Sequence, residues 1–202
     1  MKVLNADKKS VLKRQVQNNT PAKIKKTIER EDWRSNNIDI IKSNFPDAES
    51  VLCLGARHES EVLSFINAGF KAKGIDYCNG SEHVIKGDAA ELEQYFAENE
   101  YDVLYASFSL EHICDIEKCF LGVKKVIKKG LFIVLPPVKN ISVGHPTCFT
   151  VMKQQPESLD DLTEGQLLDF EVFKPFKVKY YSRDNFCIIL CIVFTNNKEE
   201  NQ

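Results

Sequence analysis

The sequence has seven cysteines but no Cys-x-x-Cys pair, and its four histidines show no metal-ligand spacing. A zinc ribbon or finger is therefore not indicated, and no metal site is expected unless Glu111, His112 and His145 happen to converge in space. The odd cysteine count, with Cys53, Cys187 and Cys191 inside apolar runs, argues against a disulfide framework and suits buried thiols in a reducing compartment. No apolar run reaches the roughly 20 residues that cross a bilayer, and the polar amino terminus lacks the apolar core of a signal peptide. The chain thus reads as cytosolic, with no membrane partner. Charge of one sign is also missing: 27 basic against 29 acidic residues give a net charge of −2, no overall reason to expect a polyanion partner. There is no internal repeat.

What is present is a 202-residue chain, 43% hydrophobic, enough for one domain with a substantial core. It divides into a basic helical arm (1–44), an α/β domain (45–195) and a polar tail (196–202). Residues 1–30 carry nine Lys or Arg against two acids. Within the arm, Thr20-Pro21 supplies an N-cap and a first-turn proline, and Ile24, Ile28 and Trp33 mark one side of a helix. A second short helix is predicted over 38–42. A solvated helical face is the ordinary expectation for such an arm, and nucleic-acid contact through Lys8, Lys9, Lys13, Arg14, Lys25 and Lys26 is the less favoured alternative.

From Ser50 onward short apolar runs alternate with helical periodicities, the pattern of an α/β domain with a largely parallel sheet. The runs are 51–54, 72–75, 83–85, 103–106 and 131–135. Between them Val62, Phe65 and Ile66 form a stripe closed by Gly69. Ile116, Cys119, Phe120, Val123 and Ile127 follow helical spacing behind Asp115 as a cap, with Lys128, Lys129 and Gly130 ending that helix. Runs 178–181 and 186–194 read as an antiparallel hairpin. Because FCIILCIVF is apolar on both faces, its strand is predicted to be interior, inserted between the fifth and sixth. The fold predicted is Rossmann-like: a seven-stranded, mostly parallel sheet with an antiparallel C-terminal hairpin and helices on both faces.

In open α/β sheets ligands bind beyond the carboxyl ends of the strands, where Gly55, Asp76, Asp88 and Ser107 all fall. Asp76 follows Gly55 by 21 residues, a spacing at which a carboxylate accepts from ribose hydroxyls; the alternative is an exposed turn aspartate. Asp88 can accept from an adenine amino group while the Ala89 backbone reads the ring, and a helix N-cap role can coexist with that. Arg57 and His58 stand where a dinucleotide's pyrophosphate would need glycine for close backbone approach. Arg57 instead suits a carboxylate, which the helix start near Glu59 also favours, or it pairs with Glu61 or another surface acid.

The segments VLCLGARHESEV, KGIDY, IKGDAAEL and YDVLYASFSLEHICDIEKCFLGVKKVIKKGLFIVLPP, in that order, resemble the class I S-adenosylmethionine-dependent methyltransferases over about residues 50–137. The resemblance implies S-adenosylmethionine as cofactor, held around Gly55, Ala56, Arg57, Asp76, Tyr77, Asp88, Ala89 and Ser107, and methyl transfer to an unidentified acceptor. Departures are specific: the family has an acid where Cys53 stands and glycines where Arg57 and Glu59 stand. The family's substrate side begins at SLEHI, so Glu111 and His112, with His145 in VGHPTCF, are the catalytic candidates, His112 as a base. The ordinary alternative is that they order their loops. Region 138–176 is expected to cover the substrate. After the fourth strand, ASFSLEH offers neither the Asn/Asp-Pro-Pro-aromatic motif of amino-methylating DNA enzymes nor a Pro-Cys nucleophile. Small molecules, sugars, lipid-linked acceptors, RNA and protein stay open. The competing classes are a non-catalytic scaffold or binding module that kept the fold and lost the cofactor, and another nucleotide-dependent enzyme.

Overall fold

A computed structural model describes residues 13, 16–17, 20–29, 31–113, 115–136, 176–183 and 187–195. His145, most of the basic stretch before Thr20 and the polar tail lie outside the described residues. Helix α1 (Pro21–Ile28) starts at Thr20-Pro21 as the sequence predicts. Helix α2 is longer than the predicted 38–42: it runs over Glu31–Asn44, and Trp33 belongs to it rather than to the helix of Ile24 and Ile28. The reason is visible in its buried face, where Arg34 and Asn37 continue the series of Ile38 and Ile41. Two polar residues on a buried face hide the helical period from a reading based on hydrophobicity.

Strands β1 (Ser50–Leu54), β2 (Lys71–Asp76), β3 (Val84–Lys86), β4 (Tyr101–Ser107), β5 (Ile127–Leu135), β6 (Phe176–Arg183) and β7 (Ile188–Phe194) form one sheet in the order β3-β2-β1-β4-β5-β7-β6. The first five are parallel, and β7 runs antiparallel to both β5 and β6. The last strand is thus interior, as its two apolar faces require. Helix α3 (Glu59–Asn67) follows β1, and helix α4 (Ile116–Val126) precedes β5. Asp115 caps α4 by accepting from the Lys118 N–H at 3.3 Å. Lys128, Lys129 and Gly130 do not end this helix. The backbone turns extended at Ile127 (φ −104°, ψ 130°), and all three residues lie in β5. Gly130 is required by close strand approach, because a Cβ there would overlap the Ile192 carbonyl of β7.

Alternation along the strands sends successive residues to opposite faces. One face carries Leu52, Leu104, Leu131 and Ile133 beneath α4. The other carries Val51, Cys53, Tyr105 and Phe132 beneath α2 and α3. Tyr105 anchors this second core, its ring 4.9 Å from Phe65 and 5.5 Å from Phe132. No helix among the described residues is long and apolar enough to cross a membrane.

Between β2 and β3 the chain returns through residues 77–83 without a helix. Asp76 shapes this link, its Oδ1 accepting from the Cys78 and Asn79 N–H groups at 2.8 Å each. The Asn79 side chain then donates to the Arg57 carbonyl at 2.8 Å. The loops after β1 and β2 are thereby locked together.

Candidate functional site

Chain order reverses between β1 and β4, so their connections leave in opposite directions and open a crevice at the carboxyl edge. At its floor β1 ends in Gly55, with φ +72°, a conformation that favours glycine. The Gly55 and Ala56 N–H groups donate to the Ile75 carbonyl at 2.8 and 3.2 Å, bending the loop toward β2. The Ser109 side chain fills the space a Gly55 Cβ would take. Across the crevice, β4 ends at Ser107, and Phe108 adopts φ +50°, a strained value for a residue with a bulky side chain.

A cavity of about 90 Å³ lies between these strand ends. Gly55, Arg57, Ser107 and Phe108 line it from the loops, and Trp33 and Arg34 line it from α2. Arg34 is only 5% exposed. Its Nε donates to Ser64 Oγ at 2.9 Å and its Nη2 to the Ile28 carbonyl at 3.0 Å, so one guanidinium ties α1, α2 and α3 together at the cavity wall. Glu61 of α3 and Tyr105 complete the lining. Burial pushes the Glu61 carboxyl up to about 8, against the pull of Arg34 and Arg57 and with a further push from Asp76. Burial likewise holds the Tyr105 phenol and the Cys53 thiol neutral. Asn37 donates to the Tyr105 hydroxyl at 3.1 Å, fixing the phenol at the cavity edge.

His58 caps α3, its Nδ1 accepting from the Ser60 N–H at 3.1 Å. Its side chain is therefore engaged with the helix and not among the cavity-lining residues. Beyond β4, Glu111 sits in a single 3₁₀ turn, Leu110–His112, and is 5% exposed. Its Oε1 lies 3.9 Å from His112 Nε2, and its Oε2 is buried without a hydrogen-bond partner. Burial pushes this carboxyl up to about 7, with its own backbone N–H pulling the other way. Among the described residues no three His, Cys, Asp or Glu side chains gather as a metal site.

Residues 53–135 match the methyltransferase domain family. Solved structures share the fold of this domain. The 1,6-didemethyltoxoflavin N1-methyltransferase of Burkholderia thailandensis is 13% identical with a TM-score of 0.65, covering 93% of this chain and 88% of its own. A methyltransferase of Aquifex aeolicus is 14% identical with a TM-score of 0.58, covering 87% and 99%. The magnesium protoporphyrin IX methyltransferase of Synechocystis is 12% identical with a TM-score of 0.53, covering 84% and 80%. No curated protein matches the sequence.

The predicted site residues are distributed unevenly in the fold. Gly55, Arg57 and Ser107 line the cavity. Asp76 stands at the end of β2, joined to Arg57 through Asn79, with its Oδ2 accepting no hydrogen bond among the described residues. Tyr77 beside it is 41% exposed. Asp88 caps the 3₁₀ segment Ala89–Gln94 by accepting from the Ala90 N–H at 3.0 Å, and Ala89 opens that segment. Ala56 is fully buried and its N–H is already taken by Ile75. Glu111 and His112 adjoin each other past β4 but do not line the cavity. Trp33, Arg34, Glu61, Tyr105 and Phe108 were not among the expected site residues; Glu61 was expected only as an alternative ion-pair partner of Arg57, and no such pair forms among the described residues. For Arg34 a signal existed, since it continues the spacing of Asn37, Ile38 and Ile41 on one helix face.

The raised Glu111 carboxyl leads to a stability prediction. A carboxyl that titrates higher in the folded protein than in the unfolded chain binds the proton more tightly when folded. Its contribution is complete below the unfolded value and is lost as pH rises toward about 7. Glu111→Gln should therefore be more stable than the parent at pH 8 by up to about 3 kcal/mol, with the gap closing by pH 4. Urea unfolding at the two pH values checks this; an equal gap at both would show that Glu111 is not held protonated by burial.

Proposed function

We propose that this domain transfers a methyl group from S-adenosylmethionine to an acceptor, with the amino-acid end of the cofactor in the cavity between β1 and β4. The observation that carries the reading is the cavity itself: it sits at the switch point of the sheet, with left-handed Gly55 on its floor and the Arg34 and Arg57 guanidiniums on its walls. Arg57 has no carboxylate at ion-pair distance among the described residues, which leaves its fork available for a bidentate carboxylate. The second oxygen of Asp76 is likewise available to a ribose. At about 90 Å³ the cavity suits the amino-acid head, and the nucleoside would extend along the edge from Asp76 toward Asp88. The Burkholderia enzyme was solved with S-adenosylhomocysteine and the Synechocystis enzyme with S-adenosylmethionine, which supports the same cofactor here.

The cofactor, when bound, supplies a methyl group on a positively charged sulfur. The chain's task is then to position donor and acceptor in line and to exclude water. A base is needed only when the acceptor is a weakly acidic hydroxyl or a protonated amine. Glu111 suits that role because its buried Oε2 is unpartnered and burial places its titration near neutrality. His112, 3.9 Å away, is the next group along for the proton.

Arg57→Ala should weaken S-adenosylmethionine and S-adenosylhomocysteine at least tenfold while leaving adenosine and methylthioadenosine, which lack the carboxylate, nearly unchanged. Calorimetric titration of the four ligands decides it. A uniform loss returns Arg57 to a surface residue. Absence of any cofactor binding to the parent protein would replace the proposal with a non-catalytic scaffold.

A further inference from the structure

The cavity between β1 and β4 holds charges of both signs. Arg34 is committed to Ser64 and to the Ile28 carbonyl, so its positive charge is fixed in place by α1 and α3. Glu61 differs: its carboxyl lines the same cavity, half-buried, with no hydrogen bond or ion pair among the described residues. A carboxyl removed from water without a partner is costly, and the charged form is costlier still. The groups facing it are Arg34 from α2, Arg57 from the loop after β1, Asp76 at the end of β2, Cys53 on β1 and Tyr105 on β4. None of these gives it a hydrogen bond. A ligand that brought only a carboxylate would match Arg57 and leave Glu61 facing a like charge. A ligand that brought only a cation would match Glu61 and face the two guanidiniums. The head group that answers both is an α-amino acid, whose carboxylate and ammonium are separated by one carbon.

We infer that Glu61 is the acceptor for the α-ammonium of the bound amino-acid head, so that Glu61 and Arg57 together clamp a zwitterion. This rests on the cofactor reading above and assigns a residue to the half of the head group that Arg57 does not reach. The clamp has a consequence that simple packing would not. In the free protein burial holds Glu61 largely protonated at pH 7. An ammonium arriving beside it stabilises the carboxylate, so the proton leaves to solvent as the ion pair forms. Adenosine, without an amino-acid head, gives no reason for that proton to leave.

The experiment is calorimetric titration of the whole protein with S-adenosylhomocysteine at pH 7 in buffers of different ionisation heat, which counts protons exchanged on binding. The parent should release close to one proton per S-adenosylhomocysteine and none on binding adenosine. Glu61→Gln, nearly isosteric and checked by thermal unfolding, should bind S-adenosylhomocysteine at least tenfold more weakly, release no proton, and bind adenosine as the parent does. No proton release by the parent, or equal affinity and proton release in Glu61→Gln, overturns the clamp while leaving the cofactor reading intact. Failure of the parent to bind either ligand overturns both.

Discussion

Gly55→Ala is expected to lower the unfolding free energy by about 3 to 5 kcal/mol and to abolish S-adenosylhomocysteine binding. Two effects add. Gly55 has φ +72°, where a residue with a Cβ is strained by about 1 to 2 kcal/mol. The new methyl would also overlap the Ser109 side chain, which packs against Gly55 from the far side of the crevice. Relief requires the turn after β4 to move away, and that turn carries Ser107 and Phe108 on the cavity wall. Gly69 supplies the control, because it has φ +97° and no atom within 4 Å of its missing Cβ. Gly69→Ala should show the backbone strain alone, with binding unaffected. Urea unfolding of both variants separates the effects; equal losses would mean that Ser109 yields without consequence and that the crevice is softer than its packing implies.

Asp102→Ala should be comparably severe, by about 3 to 5 kcal/mol, although it lies at the opposite edge of the sheet. Asp102 is 6% exposed. Its Oδ2 accepts from the Glu49 N–H at 2.8 Å, the Ser50 N–H at 3.1 Å and the Ser50 hydroxyl at 3.0 Å, while Ser50 Oγ accepts from the Asp102 N–H at 2.9 Å. These bonds fix the start of β1 against the start of β4, the two strands that frame the site at their other ends. Removing the carboxylate leaves two backbone donors and a hydroxyl without an acceptor. Burial alone would raise this carboxyl, but the bonds from Glu49 and Ser50, with Lys129 and Lys128 each 3.7 Å from Oδ1, hold it below its ordinary value. The sign follows. A carboxyl depressed on folding contributes stability above its unfolded value, near pH 4, and loses it as pH falls through the folded value. The parent's urea midpoint should drop between pH 5 and pH 3 more steeply than that of Asp102→Asn. Identical acid profiles would show that the Asp102 charge is not what the two strands share.

Much of the fold was legible because local chemistry announces it. FCIILCIVF, apolar on both faces, became the interior strand β7; Asp115 capped α4; Gly55 and Gly69 took left-handed turns. Errors fell where local signals were ambiguous. Lys128, Lys129 and Gly130 resemble a helix end, yet Gly130 exists to admit the neighbouring Ile192 carbonyl in a sheet, and the lysines serve Asp102. The link between β2 and β3, where the sequence shows no helical period, is shaped instead by the bonds that Asp76 accepts from the Cys78 and Asn79 N–H groups.

The sequence by itself determined the order of the strands and most of their apolar residues, and that Gly55, Asp76 and Ser107 fall at strand ends, because period, caps and glycines act over a few neighbouring residues. Only the tertiary structure decided that Arg34, Arg57 and Glu61 line one cavity of about 90 Å³ and that the Glu61 carboxyl has no hydrogen-bond or ion-pair partner there among the described residues. These three come from α2, a loop and α3, and their meeting depends on how helices pack over the sheet. That packing is set by apolar residues such as Ile38, Ile41, Val62 and Phe65, whose burial carries no record of which polar groups it brings together.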